Sequence, residues 1–261
     1  MFNTHNTLSL QALDGDVVLV QLGRPEAANA LNTDLAMDIH HAFGQLAASD
    51  CRAVVLAGAG RNFCAGADLK ERRGMTEAQW HRQHDAMEEA QHAVMHCPVP
   101  VIAAVQGAAF GGGLELALSC DLIYAADTAR FALTETTLGI MPGMGGTQLL
   151  PRAIGAARAR ELIYMGKPFS AAEAHQWGMV NRIMPEAELL DNAIACAATI
   201  AANAPLAVRA AKNAIREGLD APLHEALQIE LTHYNSLLNT KDRQEGINAF
   251  NEKRKPEFTG E

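Results

Sequence analysis

Over the first two-thirds of the chain the hydrophobic pattern switches between two rhythms. Short unbroken apolar runs of strand length recur between segments whose apolar residues fall three and four apart. Val17-Val18-Leu19-Val20-Gln21-Leu22 is the first such run and reads as a buried strand. Asn32 is placed to cap a helix reaching about Ala48, with Leu35, Ile39, Phe43 and Leu46 on one face. Ala53 to Ala57, ended by Gly58, is a second strand, and Asn62 to Asp68 a loop. Thr76 to His96 reads as a polar helix with a narrow stripe of Trp80, Met87 and Val94. Val101 to Val105, bounded by Pro100 and Gly107, is the third strand. The glycines Gly111-Gly112-Gly113 then open an apolar helix from Leu114 to Cys120, and Leu122 to Ala125 returns to strand.

Beyond Pro151 the pattern is mostly helical. A late strand is expected at Met179–Ile183, and from about Leu189 only helices, broken at Pro205, Gly218 and Pro222. Alternating strands and helices followed by helices alone predict an α/β core with a helical C-terminal region. No linker separates them, so we expect one core, residues 1–195, and a helical extension, residues 196–261.

Composition narrows the class. The chain has 261 residues, of which 49% are hydrophobic and 20% charged, so it has ample apolar surface to bury and is not a disordered chain. No stretch approaches roughly 18 consecutive apolar residues, which argues against a membrane span. The opening MFNTHNTLSL has no Lys or Arg and no apolar core, unlike a signal peptide. A net charge of −9, with no basic cluster before Lys253-Arg254-Lys255, argues against nucleic acid as a partner but leaves room for a small anion met by a few local cations. Cys51, Cys64, Cys97, Cys120 and Cys196 are scattered and form no CxxC pair, as expected of free thiols in a reducing compartment. A soluble cytoplasmic protein is the expectation.

Some motifs look chemical and read better as structural. Gly58-Ala59-Gly60 follows a strand like a dinucleotide loop but has Phe63 where the third glycine belongs. His81, His84, His92 and His96 crowd one helix. With no HExxH and no cysteine pair to complete a metal site, they read as a solvated polar face. Cys64 reads as a small buried thiol. No metal site is expected.

Three segments carry the chemistry: Phe63 to Lys70, Pro100 to Glu115, and Phe131 to Glu135 with the glycine-rich stretch that follows to Thr147. In the second, a strand runs through a glycine-rich turn into a helix. The first amides of a helix have no intrahelical acceptor and sit at its positive end, so they can receive a developing oxyanion. Glu115 lies three residues after Gly112, one turn on, among apolar neighbours. An ionised carboxylate there needs a partner or a raised pKa, and either suits acid/base work. Glu135, twenty residues later, adds a second carboxylate. Two over one substrate allow one to take a proton while the other gives one.

With these segments, and with Arg24-Pro25-Glu26-Ala27-Ala28-Asn29-Ala30-Leu31 and the C-terminal Phe250 to Phe258, the sequence resembles the enoyl-CoA hydratase/isomerase (crotonase) family over nearly its whole length. The resemblance implies a spiral of ββα turns with a C-terminal helical trimerisation region, and self-association as a trimer or a dimer of trimers. It implies that the Ala67 and Gly112 amides polarise the carbonyl of an acyl-CoA thioester, the substrate. Glu115 and Glu135 match the two glutamates of the hydratase branch. Ala28, Ala65, Asp68, Leu69 and Lys70 match stretches lining CoA, Gly143 a pocket position, and Phe250 and Lys253 residues that cover the CoA nucleotide from a neighbouring subunit. Glu26 stands where some relatives carry a basic residue, leaving Arg24, Lys70 and Lys253 as phosphate contacts. The implied reaction is reversible addition of water to a 2-enoyl-CoA, giving a 3-hydroxyacyl-CoA without metal or redox cofactor. A Δ3,Δ2-enoyl-CoA isomerase would need only the glutamate at position 135. Phe131–Arg152 and Thr240–Glu261 also resemble methylglutaconyl-CoA hydratases, some of which bind RNA, so an RNA-binding role is the alternative of another class. The acidic charge counts against it.

Overall fold

The computed structural model describes residue 2 and residues 5–261. Met1, Asn3 and Thr4, part of the N-terminal stretch weighed above as a leader, lie outside the described residues. β1 (Leu8–Leu13) and β2 (Val17–Leu22) form an antiparallel hairpin, turned by Gly15 and Asp16 at φ +74° and +60°. β1 leaves little trace in the apolar pattern because, of its residues, only Leu8 is buried.

From β2 onward the chain repeats one operation. A strand enters a large sheet, the chain crosses to a short inner pairing, and helix carries it back. β2 leads to Leu31, bridged to Ala67, and then α1 (Thr33–Ala47). β3 (Ala53–Gly58) leads to Cys64, bridged to Ala109, then α2 (Leu69–Arg72) and α3 (Glu77–Met95). β4 (Val101–Val105) leads to β5 (Ala108–Phe110) and α4 (Gly112–Leu118). β6 (Leu122–Ala126) leads to β7 (Arg130–Ala132) and, after a single 3-10 turn, α5 (Gly146–Ile154). This is the expected ββα spiral. With β8 (Phe169–Ser170) and β9 (Arg182–Met184), the large sheet runs β1-β2-β3-β4-β6-β9, parallel from β2 onward, and the small one β5-β7-β8.

Every residue of β3 and β4 is buried, as befits parallel strands covered on both faces, which explains their unbroken apolar runs. α1 starts where expected: the Asn32 side chain accepts the Leu35 N–H at 3.0 Å. Thr76 and Gln79 form a reciprocal capping box on α3. α6 (Ala156–Met165) and α7 (Ala171–Gln176) follow, then α8 (Glu186–Ala201), which packs across β2, β3, β4 and β6. α8 runs through residue 195, so the sheet's helical cover extends beyond that point. α9 (Pro205–Gly218) and α10 (Leu223–Ser236) pack on each other, and α11 (Lys241–Glu252) closes the helical region. Among the described residues no single helix is long and apolar enough to cross a membrane.

Two boundaries differ from the sequence reading. The late strand begins at Arg182 rather than Met179, because the Met179 and Val180 amides are spent on the Ala174 carbonyl at the end of α7. The apolar helix begins at Gly112 rather than Leu114, since Gly111 caps it and accepts from the Leu114 and Glu115 amides.

Candidate active site

The glycines that open α4 let three pieces of backbone meet. Gly111 sits at φ +51°, and a Cβ there would lie 3.0 Å from Glu135 Oε1. A Cβ on Gly113 would collide with the Cys64 carbonyl. Backbone and ligand can approach closely only where side chains are absent. As a result the first turn of α4 runs beside Gly66-Ala67: a Cβ on Gly66 would come 3.4 Å from Gly112 N, and one on Gly112 3.9 Å from Ala67 N. Leu31 pairs with the Gly66 carbonyl and the Asp68 amide, at 2.8 and 2.9 Å, so the intervening Ala67 N–H points the other way. Among the described residues neither the Ala67 nor the Gly112 amide donates to a protein acceptor. Two free donors therefore lie side by side.

Glu115 stands on α4, only 2% exposed. Its Oε1 accepts the Met144 and Gly146 N–H groups, both at 2.8 Å, which tie the glycine-rich stretch before α5 to α4. Burial pushes its pKa up to about 7. The charge of Glu135 adds to this, and the two amides hold it back. Glu135 opens the 3-10 turn after β7. Its Oε2 is buried and without a hydrogen-bond partner, and burial raises its pKa against the opposing charge of Arg72. The two carboxylates come from successive turns of the spiral and line one cavity of about 390 Å³.

Of the residues singled out from sequence, Ala65, Ala67, Leu69, Gly112, Glu115, Glu135 and Gly143 line this cavity together. Arg24 and Asp68 do not. They pair with each other at 3.0 Å, Arg24 also donates to the Ala30 carbonyl, and Asp68 caps α2 through the Lys70 and Glu71 amides. Ala28 does not line the cavity; it is left-handed and its carbonyl accepts the N–H of Ala65, which does, at 3.0 Å. Lys70 is exposed next to Leu69. Within this chain Phe250 lines a different cavity with Tyr234 and Phe258, and Lys253 ends α11 in a left-handed cap.

Among the described residues no three His, Cys, Asp or Glu side chains are grouped as a metal site would require. His81, His92 and His96 are exposed, with the last two stacked at 3.7 Å. His84 corrects the solvated-face reading: it is half-buried, stacks on Trp80 at 5.0 Å and lines the cavity opposite Gly143. Cys64 is fully buried, and burial pushes its thiol to about 12, which leaves it inert. A Cβ at Gly60 would lie 2.9 Å from the Pro25 side chain, so the Gly58–Gly60 loop is filled rather than open to a nucleotide. Arg72 was not singled out from sequence, and Trp80, read only as part of the apolar stripe of α3, lines the cavity, as does Met144 from the glycine-rich stretch. Arg72 closes the short helix α2 that the Asp68 side chain caps, an element absent from the sequence reading.

Paired amides, paired buried carboxylates and a ββα spiral define the crotonase class of fold. A family model described as Enoyl-CoA hydratase/isomerase matches residues 13–261, and the chain belongs to that family. It is similar to a crystallised enoyl-CoA hydratase from Bacillus anthracis, with 46% identity, a TM-score of 0.96, and 98% of this chain and 100% of that one covered. It is 42% identical over 249 residues to the enoyl-CoA isomerase/hydratase fer4 of Mycosarcoma maydis, covering 92% of this chain and 91% of that protein. It is 40% identical over 262 residues to the mitochondrial enoyl-CoA hydratase domain-containing protein 2 of Mus musculus, covering 97% and 88%.

Proposed function

We propose that the protein is a hydro-lyase that adds water reversibly across the double bond of a 2-enoyl-CoA thioester. The observation that supports this most is the convergence of two buried carboxylates on one cavity beside two unengaged amides. The Ala67 and Gly112 amides receive the thioester carbonyl oxygen. Charge drawn onto that oxygen makes C3 electrophilic and stabilises the enolate-like transition state. Each such donor is worth about 3 kcal/mol in comparable sites. Glu115, held by two backbone amides and ionising near neutrality, takes a proton from the attacking water. Glu135, whose pKa burial also raises, delivers a proton to C2. The chemistry moves protons and water but no electrons, and no step calls on a metal or redox cofactor.

The second reading is a Δ3,Δ2-enoyl-CoA isomerase, favoured by the printed name of the fer4 relative. It needs one proton-shuttling carboxylate and leaves Glu115 without a task, whereas the backbone here is arranged around Glu115. We also propose self-association. Leu223, Leu227, Leu231 and Tyr234 form an exposed apolar stripe along α10, from 49% to 76% exposed, with Leu219 at the end of α9 beside it. A neighbouring copy would bring Phe250 and Lys253 to the CoA nucleotide. The test is hydration of crotonyl-CoA by the wild-type protein and by Glu115→Gln and Glu135→Gln. Both variants should lose at least about 100-fold in kcat. Turnover of a 3-enoyl-CoA that survives in Glu115→Gln, with no hydration in wild type, would establish the isomerase instead.

A further inference from the structure

The two acids are held in different ways. Glu115 is gripped at its carboxyl by two backbone amides. Glu135 Oε2 is buried without a partner, and Oε1 faces the bare Cα of Gly111, where a Cβ would stand 3.0 Å away. The carboxyl is therefore placed from its root, by the 3-10 turn Glu135–Leu138. The bonds inside that segment give it shape. The Thr137 N–H and hydroxyl both donate to the Thr134 carbonyl, at 3.0 and 2.7 Å, and the Ile140 N–H donates to the Glu135 carbonyl at 3.2 Å. None of these bonds decides where the turn lies relative to the cavity.

One bond does. The Thr136 hydroxyl donates to the Ile163 carbonyl at 2.8 Å. Ile163 stands in the last turn of α6, where carbonyls lack an intrahelical donor, and the Gly166 N–H turns back to Leu162 instead. From Leu133 to Gly143 this is the one hydrogen bond, among the described residues, that ties the segment to the rest of the chain. The next ties lie outside it: the Ala132 carbonyl accepts the Gly111 N–H at 2.8 Å, and the Met144 N–H donates to Glu115. α6 comes close because Gly166, at φ +60°, has no side chain. A Cβ there would stand 2.6 Å from Thr137 Cγ2 and 3.7 Å from Thr134 Cα. Packing limits how near the turn can approach α6, and the hydroxyl keeps it from moving away. Thr136 itself is exposed and does not line the cavity.

We propose that Thr136 is a positioning residue: by tying the turn to α6, its hydroxyl holds the Glu135 carboxyl where it can deliver a proton to C2 of the substrate. This rests on the hydratase reading and adds a residue to it from outside the cavity. A shift of about 1 Å at a reacting group can cost about 100-fold in rate, so a tether of this kind bears directly on turnover. The rival role, a cap for the end of α6, predicts a loss of stability with no effect on turnover.

The experiment measures kcat and KM for hydration of crotonyl-CoA by wild type, by Thr136→Val, which keeps the shape and loses the donor, and by Thr136→Ser, which keeps the donor. Thr136→Val is also made in the Glu135→Gln background, and melting followed by circular dichroism confirms that each variant is folded at the assay temperature. Thr136→Val should lower kcat about 10-fold with KM within about 2-fold of wild type, and Thr136→Ser should keep at least about half of the wild-type kcat. In the Glu135→Gln background Thr136→Val should change the residual kcat by less than about 2-fold, because the group it positions is gone. A Thr136→Val kcat within about 2-fold of wild type overturns the proposal, as does an equal loss in both backgrounds or a Thr136→Ser variant as slow as Thr136→Val. In each of these cases hydration by wild type, and its loss in Glu135→Gln, leaves the hydratase reading standing. If wild type does not hydrate crotonyl-CoA, both fall.

Discussion

Replacing Glu115 with Gln should stabilise the fold while abolishing hydration, and the gain should depend on pH. The carboxyl ionises at about 7 in the folded chain and at the ordinary 4.5 in the unfolded chain. Between those values the folded state holds a proton that the unfolded state has released, so wild-type stability falls as pH rises through that window. Below 4.5 both states are protonated and Glu115 contributes nothing. Above about 7 the loss is complete, and the displacement corresponds to about 3 kcal/mol. Gln keeps an oxygen for the Met144 and Gly146 amides and mimics the protonated acid, so it is spared the loss. For a chain of this length 3 kcal/mol is about 5 °C in Tm. Thermal unfolding followed by circular dichroism at one protomer concentration should show Glu115→Gln melting close to wild type at pH 4.5 and about 5 °C higher at pH 8.5. A gap that is the same at both pH values, or that favours wild type at pH 8.5, would refute the claim that burial holds this carboxyl protonated.

Other expectations follow from the same geometry. If Glu115 is the base, kcat/KM for hydration should rise with pH through a limb centred near 7, and that limb should vanish in Glu115→Gln. A flat wild-type profile between pH 5 and 8 would exclude the assignment. Gly112→Ala and Gly112→Pro both add a Cβ near Met144 Sδ and Leu31 Cδ1, at 3.1 and 3.2 Å, but only proline removes the amide hydrogen, at a first helical position that tolerates it. The proline variant should therefore turn over at least about 100-fold more slowly than the alanine variant, and equal rates would show that this amide is idle. Asn29 is fully buried and left-handed, accepts the Arg24 N–H and donates to the Ala59 and Asn62 carbonyls. Asn29→Ala leaves buried backbone groups unpaired and should cost about 3 kcal/mol, read by urea unfolding.

What could be read from the sequence was what local pattern controls. β3 and β4 announce themselves as unbroken apolar runs because both faces of each are covered. Gly111-Gly112-Gly113 marks a close approach of backbone, and Glu115 among leucines marks a carboxylate with a displaced pKa. β1 was hidden because a strand at the edge of a sheet, buried at one residue, has no strong alternation. His84 was misread because four histidines on one polar helix look alike in sequence. Which of them faces a cavity depends on how α3 lies against Gly143, which is 59 residues beyond His84. Arg72 was missed, and Trp80 read only as a stripe residue, for the same reason. Their meaning comes from α2 and α3 folding over the mouth of a site built by later turns of the spiral.

The fold explains why the site can hold two acids that both resist ionisation. In the ββα repeat each turn delivers one inner segment, and successive inner segments stack: Leu31 on Ala67, Cys64 on Ala109, β5 on β7. Whatever follows each inner segment is therefore brought to the same edge, so Ala67, Gly112 and Glu135 meet there although they are far apart in the chain. The alignment is fixed by backbone pairing and by close contacts that only glycine permits, not by the reactive side chains. Glu135 Oε2 can then remain buried without a partner, and two amides can remain without acceptors, because the pairing of the inner stack keeps the surrounding backbone from closing on them. Unsatisfied groups of this kind are ordinarily removed by small relaxations. Here relaxing one would disturb the register of the next turn, so the local cost is carried by the whole stack.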